Sequence, residues 1–289
     1  MSNIIVVNST NSTSQKNVFQ YNFIQGSYII PEGSTIAVRQ LVIPYSWFNI
    51  NANAYVNNTF QYTWNGAVPF TRTVTLLDGY YTIVDINSAL QLDMIAAGLY
   101  LIDSAGNNVY YIQILSNATL YANQILAFAT PASLPSGYTA PANLNANFYS
   151  AVFNAPQFVV QPLITSAFSS IIGFSAGAYP TAVSTTSVSV TGNTTPNSTP
   201  VNSVIIRCNL VSNNVSAVSD IMDSFTTQGT SFGNNAVYSP NYDSSVALQS
   251  GRYGGFRIEF VDQNFVAIPM QDTNLILTLA IKFPPMQRI

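Results

Sequence analysis

Histidine is absent from the 289 residues, and cysteine occurs once, as Cys208. Charge is nearly as scarce: Lys, Arg, Asp and Glu make up 7% of the chain, against about 25% in an ordinary soluble domain. Each shortage excludes something. Without His there is no imidazole acid or base, no Ser-His-Asp arrangement, no His-ligated zinc and no imidazole pH switch. One Cys excludes an internal disulfide and a Cys cluster for a metal. Basic residues number 8 and acidic residues 11, for a net charge of −3, which leaves no basic footprint for DNA or RNA. Apolar runs of about 18 residues, the length that spans a bilayer as a helix, are also missing. The nearest approaches, Leu41–Phe48 and Leu275–Ile281, are short or interrupted. The opening MSNIIVVNSTNSTSQ has no basic n-region and no long apolar core, so it is not expected to act as a secretory signal. The sequons at Asn8, Asn11, Asn117 and Asn197 are accordingly expected to go unused.

What is present is apolar and neutral polar. The chain is 48% hydrophobic, with a mean hydropathy of +0.24. A chain of this length has the material for a sizeable core. Tyr and Phe occur 17 times each. Asn and Ser occur about 30 times each and Thr about 25 times, so neutral groups are expected to carry the solubility that Lys and Glu usually supply. Sparse charge with abundant aromatics also describes the core of a protein interface. Two readings follow: a surface largely buried against neighbours, or a neutral β protein without partners.

Along the chain, short β-type runs are separated by Asn, Gly, Pro and Ser turns. Asn3–Asn8 reads as a short strand or arm, followed by the polar linker Ser9–Lys16. Val18–Phe23 and Gly33–Tyr45 read as strands. In Asn57–Trp64, Phe60, Tyr62 and Trp64 share one face, and Thr59, Gln61 and Thr63 share the other. Asn65-Gly66 is a strong turn signal, which makes Phe70–Leu76 the hairpin partner.

One helix is clearly written. Thr82 and Asp85 form a capping-box pair, Ile83, Ile86, Leu90, Met94 and Ala97 recur at spacings of three and four, and Gly98 ends the run. Leu99–Ile102 and Val109–Leu115 read as a hairpin about the turn Asp103–Asn107. Gln124–Ala129 and Phe158–Val160 read as strands, and Ile164–Ile172 as a short helix. Thr130–Asn147 is a loop rich in Pro, Ala and Asn. Thr181–Thr199 reads as a β excursion or a mobile loop. Ser203–Leu210, Gly255–Val261, Phe265–Pro269 and Asn274–Phe283 read as strands, with a turn-rich stretch over Gly229–Asn241.

This pattern is all-β and favours a sandwich over a barrel. A single eight-stranded sandwich needs fewer residues than are present, so long loops or an inserted β sub-domain are expected within about 99–202. Residues 1–30 read as an N-terminal arm and 31–289 as the sandwich domain.

Candidate chemistry is thin. Asp220 and Asp223 lie three apart, and Asp262 and Asp272 flank the last expected hairpin. A glycosidase needs two carboxylates about 5–10 Å apart across a cleft, and no spacing here implies one. Asp220 and Asp223 read as turn or helix-start residues, with a Ca²⁺ site as the weaker alternative. Arg207 beside Cys208 would activate the thiol only if it lay close. Strand neighbours point to opposite faces, so Cys208 is expected in the core. A Ser nucleophile would have only Lys16 or Lys282 as base. Gly251, Gly254 and Gly255 read as bend residues and not as a phosphate loop. Trp47 and Trp64 are expected to pack in the core in preference to stacking on sugars. Tyr138, Tyr149 and Tyr179 are expected to be exposed in long loops. No catalytic, cofactor-binding or metal-binding residue is assigned, and an enzyme is not expected.

Seven phrases carry a resemblance. They are IPYSWFNI (Ile43–Ile50), NNTFQYTWNG (Asn57–Gly66), DGYYTIVDINSALQ (Asp78–Gln91), LYLIDSAGNNVYYIQI (Leu99–Ile114), IIGFSAGAYP (Ile171–Pro180), IIRCNLVSNNVSAVSDIMDSF (Ile205–Phe225) and GGFRIEFVDQNFVAIPMQDTNLILTLAI (Gly254–Ile281). In this order they resemble the penton and minor capsid proteins of jelly-roll-capsid DNA viruses of the virophage, polinton-like and giant-virus type. Residues 130–155 and 181–200 lie outside the resemblance.

The resemblance implies a jelly-roll β-sandwich of eight strands in two sheets, with one or two short helices. It implies a structural virion protein: a penton, five copies of which form each five-fold vertex among capsomers of a major capsid protein. The alternatives are a minor (cement) capsid protein or a receptor- or glycan-binding spike head. Implied partners are the chain itself as a homopentamer, the major capsid protein, other minor capsid proteins and a host receptor or fibre. Implied location is the virion, assembled in the host cytoplasm. Arg39, Arg252 and Arg257 are then candidates for inter-subunit or local pairing.

Overall fold

The computed structural model describes residues 2–152, 154–160, 166–214, 216–240 and 244–284. The chain divides into two compact units: Met1–Phe48 with Val201–Ile289, and Asn49–Pro200. The first unit opens with strands β1 (Ser2–Asn8), β2 (Val18–Asn22), β3 (Tyr28–Ile30) and β4 (Thr35–Pro44). The second contains β5 (Thr59–Trp64), β6 (Phe70–Thr75), α1 (Ile83–Ala97), β7 (Tyr100–Ile102), β8 (Asn108–Tyr110), β9 (Ile112–Asn117), β10 (Ala122–Ala127), β11 (Gln157–Val160), α2 (Ser166–Ile172), β12 (Gly177–Tyr179) and β13 (Val188–Thr191). The chain returns to the first unit through β14 (Val204–Cys208), β15 (Ile221–Phe225), β16 (Asn235–Tyr238), β17 (Val246–Ala247), β18 (Gly251–Tyr253), β19 (Gly255–Asp262) and β20 (Ile276–Lys282).

The first unit is a jelly roll. Its two main sheets run β1-β20-β4-β16 and β15-β14-β19-β2, all antiparallel. When its eight principal strands are numbered by chain order, the sheets read 1-8-3-6 and 2-7-4-5, the interleaving of two Greek keys that defines the fold. The expected eight-stranded, two-sheet jelly roll is therefore what forms. The core lies between the sheets: Val7, Ile36, Leu41 and Leu279 from one meet Phe19, Ile206, Ile258 and Phe260 from the other, all buried. Phe19 and Phe260 contact edge to face at 5.8 Å.

Three expectations are corrected here. Residues from Ser2 onward are no free arm: β1 pairs with β20 along its whole length, from Ser2 opposite Lys282 to Asn8 opposite Ile276. The partner lies at the far end of the chain, where no local pattern reveals it. The inserted unit begins at Asn49, well before residue 99, because β5, β6 and α1 bury their apolar faces in the second unit's own core. Phe265–Pro269 is not a strand; it keeps one isolated bridge, Val261 to Ala267, beside turns held by Asp262.

The second unit shows how the helix and hairpin are built. Phe60, Tyr62 and Trp64 point inward from β5 while Thr59, Gln61 and Thr63 face out. Outward hydroxyls and amides pair across to β6, Thr63 with Thr71 at 2.9 Å and Gln61 with Thr73 at 2.9 Å. The Thr82–Asp85 capping box closes reciprocally at the start of α1. At its end Gly98 takes φ +66°, and a Cβ there would strike the Asn143 carbonyl, so both conformation and space demand glycine. Ile86, Leu90 and Met94 are the buried face. The expected strand Val109–Leu115 breaks at Tyr111: β8 pairs with β7, whereas β9 joins β10 and β13 in another sheet. The stretch 181–199 supplies β13.

Few charges are used, and they are concentrated. Arg72 on β6 grips Asp93 on α1 with two bonds of 2.7 and 2.8 Å, and the Tyr62 hydroxyl donates to the same carboxylate at 2.7 Å. Burial works against the Asp93 charge, but the bonds from Arg72 and Tyr62 outweigh it and hold the carboxyl below the usual range. A depressed carboxyl contributes stability above its unfolded value and loses it as pH falls through the folded one. Arg72→Ala should therefore destabilise the protein by about 1–2 kcal/mol at neutral pH, between a surface pair and a buried one. The deficit should shrink as pH falls below the usual carboxylate range, as read by urea melts across pH. Deleting residues 2–8 removes the buried Ile5 and Val7, each worth about 1.5–3 kcal/mol. The melting temperature should drop by several degrees; an unchanged one would contradict the role of β1 as an integral strand.

Candidate functional site

The residues singled out for chemistry are dispersed and structurally occupied. Cys208 is buried at the end of β14, and burial pushes its thiol up to about 11. Arg207 points the other way and binds Asp220 through bonds of 3.0 and 2.9 Å. Arg207 also lies 3.5 Å from Glu259, which in turn lies 3.8 Å from Arg257. Asp220 thus precedes β15 as an ion-pair partner. Asp223 lies within β15 and not at a turn or helix start; it accepts from the Tyr238 hydroxyl at 3.1 Å. Burial pushes the Asp223 carboxyl up from its ordinary range, against the opposing pull of the Ser224 amide and neighbouring hydroxyls. Asp262 and Asp272 accept from the backbone amides of Asn264, Val266 and Asn274. Among the described residues, no three Asp, Glu, Cys or His side chains gather as a metal site.

Trp47 and Trp64 are both buried, so neither offers a face to a sugar. Trp64 donates its indole N–H to the Phe148 carbonyl at 3.0 Å. Tyr179 is also buried, against Phe174 and Ser175, contrary to the expected exposure. Tyr138 and Tyr149 are half-exposed. Lys16 donates to the Gln271 carbonyl at 3.1 Å and Arg252 to the Ser27 hydroxyl at 3.4 Å. Arg39 is the extra residue of a bulge in β4, between Val38 opposite Leu279 and Gln40 opposite Thr278, and its side chain faces solvent.

What the structure does assemble is a surface. On the outer face of β1-β20-β4-β16, Asn8 stands opposite Ile276, Ile276 opposite Val42, and Val42 opposite Val237. The next row sets Val6 against Thr278 and Gln40. Ile4, Val6, Ile276 and Val237 are 58%, 46%, 52% and 65% exposed. These four strands carry two charges, Arg39 and Lys282, both basic. The other sheet is the opposite case: Arg207, Glu259 and Arg257 on β14 and β19 form its network with Asp220. Contiguous exposed apolar side chains of this kind mark interaction surfaces. The sequence shows β4 and β20 but neither β16 nor this face, because the row is created by register between distant segments.

The thiol makes a test of this geometry. Native protein should leave Cys208 unlabelled by iodoacetamide at pH 8 over hours, with complete labelling in denaturant. Rapid native labelling would contradict its burial.

No protein-family model and no curated protein matches the chain. Among solved structures, it is similar to the crystal structure of the mavirus penton protein, with 10% identity, 98% of each chain covered and a TM-score of 0.45. It is also similar to a chain in the cryo-electron-microscopy structure of the Sputnik virophage, with 12% identity, 98% of this chain and 97% of that chain covered, and a TM-score of 0.41.

Proposed function

We propose that this chain is a structural virion protein, a penton, five copies of which form each vertex of an icosahedral capsid. The observation that carries the reading is the contrast between the two outer faces of the jelly roll: one with exposed Ile4, Val6, Ile276 and Val237 and only Arg39 and Lys282 charged, the other holding the ion-pair network. A five-fold ring joins two different patches of each subunit in a heterologous interface that closes on itself. Any ion trapped in such an interface would cost several kcal/mol to desolvate, and the β1-β20-β4-β16 face is nearly free of them. The ordered phrases that resemble penton and minor capsid proteins support the same role.

In this reading the partners are further copies of the chain, capsomers of a major capsid protein and other minor capsid proteins. The protein resides in the virion after assembly in the host cytoplasm. No catalysis, cofactor, metal or nucleic-acid contact is assigned to it.

Native mass spectrometry should show a pentamer of the purified chain. Val6→Glu with Ile276→Glu places two charges on exposed apolar positions of the charge-poor face. It should abolish the pentamer while shifting the melting temperature by little. A wild-type protein that stays monomeric at high concentration and is missing from particle vertices would refute the proposal.

A further inference from the structure

The second unit contains a concave site of its own. An open pocket of about 400 Å³ is lined by Asn108, Val109, Tyr110, Tyr111, Gln113, Phe128 and Tyr138. That volume falls within the roughly 300–1,000 Å³ of small-ligand sites. Most of its rings lie outside the unit's fully buried aromatic core. Trp64, Phe60, Tyr62, Phe148, Phe168 and Phe174 are fully buried, whereas Tyr110, Phe128 and Tyr138 are left half-exposed around the concavity.

The walls are held in place by the backbone. Thr139, next to Tyr138, exchanges two bonds with Ile102 of β7, at 2.8 and 2.9 Å. The Phe128 amide donates to the Tyr111 carbonyl at 2.8 Å. Asn108 donates to the Tyr110 hydroxyl at 3.2 Å, and the Tyr110 ring lies 6.3 Å from that of Tyr100. The platform is therefore preformed, which lowers the entropy lost on binding.

Its polar groups converge without being used internally. The hydroxyls of Tyr111 and Tyr138 and the amide of Gln113 have no hydrogen-bond partner among the described residues. Burial, with Tyr138 and Tyr149 nearby, pushes Tyr111 up to about 12, so it is a neutral donor and acceptor at physiological pH. No charged side chain lines the pocket among the described residues.

From this geometry we infer that the pocket binds a neutral saccharide, with the C–H face of a pyranose ring against Tyr110, Phe128 or Tyr138 and its hydroxyls bonded to Gln113, Asn108 and the tyrosine hydroxyls. Aromatic faces with a few fixed amide and hydroxyl groups match a ring that is apolar on its faces and polar at its rim. A nucleic acid would stack on the same rings, but its phosphates need a basic track, and none lines the pocket. An acidic sugar such as sialic acid would bring a carboxylate with no cation to receive it. The inference is independent of the assembly reading, since a monomer would bind as a pentamer does.

Saturation-transfer NMR on the full chain tests it. The probes are methyl α-mannopyranoside, methyl β-galactopyranoside and diacetylchitobiose, with 3′-sialyllactose as the acidic control. At least one neutral probe should receive saturation at its ring C–H protons, and the sialic acid moiety of the control should receive none. Tyr138→Ala should weaken that binding about tenfold and Gln113→Ala about three- to tenfold, the loss expected for one hydrogen bond. Tyr121→Ala, at the other end of the β9–β10 hairpin, should leave it unchanged. If Tyr138→Ala does not fold, Gln113→Ala decides. The inference is overturned if no neutral probe binds, if only the sialic acid moiety receives saturation, or if binding survives unchanged in a folded Gln113→Ala protein.

Discussion

Every buried backbone donor and acceptor must find a partner, and this chain meets that constraint with asparagine. Asn49 is buried; it donates to the Tyr81 and Ser198 carbonyls at 2.8 and 2.9 Å and accepts from the Tyr81 amide at 2.8 Å. Asn57 accepts from the Asn51 amide and donates to the Asn49 carbonyl. Asn65 reaches the Ala155 carbonyl and Asn123 the Ile172 carbonyl. Asn143 and Asn145 reach back to the last carbonyls of α1, at Ile95 and Ala97. A neutral amide offers both donors and an acceptor without the desolvation cost of an ion. Much of the Asn content thus holds irregular loops to regular elements, a different role from the solubilising one that composition suggests.

With loops tied down by amides, the ion pairs among the described residues fall into two local groups. Arg72 and Asp93 join β6 to α1, and Arg207 ties β14 to the residue before β15 and to β19. Both pairs are bidentate Arg–carboxylate contacts, the geometry that justifies an ion pair at a half-buried position. The consequence is spatial. Charge is withdrawn from β1, β20, β4 and β16, apart from Arg39 at the bulge and Lys282 at the strand end. The jelly roll therefore has one face that neighbours can cover at little electrostatic cost and one that cannot be covered so easily.

Legibility in the sequence followed the range of the contacts. The β5–β6 hairpin and α1 with both caps are written in adjacent residues, and they form as read. The strands β14, β19 and β20 were also visible from their apolar alternation. For β1 the sequence leaves strand and arm open, because its partner β20 lies at the other end of the chain, and it does not show the break at Tyr111, where one continuous apolar stretch serves two sheets. β15 and β16 were missed as well. Polar Asp223 and Asn235 dilute the strand pattern, and their pairing to β14 and β4 is again non-local. Non-local pairing is what a jelly roll consists of, so its order became visible only in the register. The exposed apolar row on β1-β20-β4-β16 and the aromatic pocket share that property: each is made by residues that approach one another only after folding.

Scarce charge therefore has more than one physical cause. Across β1-β20-β4-β16 it spares any protein that covers the face the cost of desolvating ions. In the Tyr110–Tyr138 pocket it follows from complementarity, since an uncharged polyol gains nothing from an ion that must first be stripped of its hydration. In the loops around Asn49, Asn57 and Asn145 it follows from the backbone, which needs a group able to donate and accept at once. The three causes act on different residues, so they separate under mutation: a charge placed on Ile276 bears on association, one placed beside Gln113 on ligand, and one replacing Asn57 on folding itself.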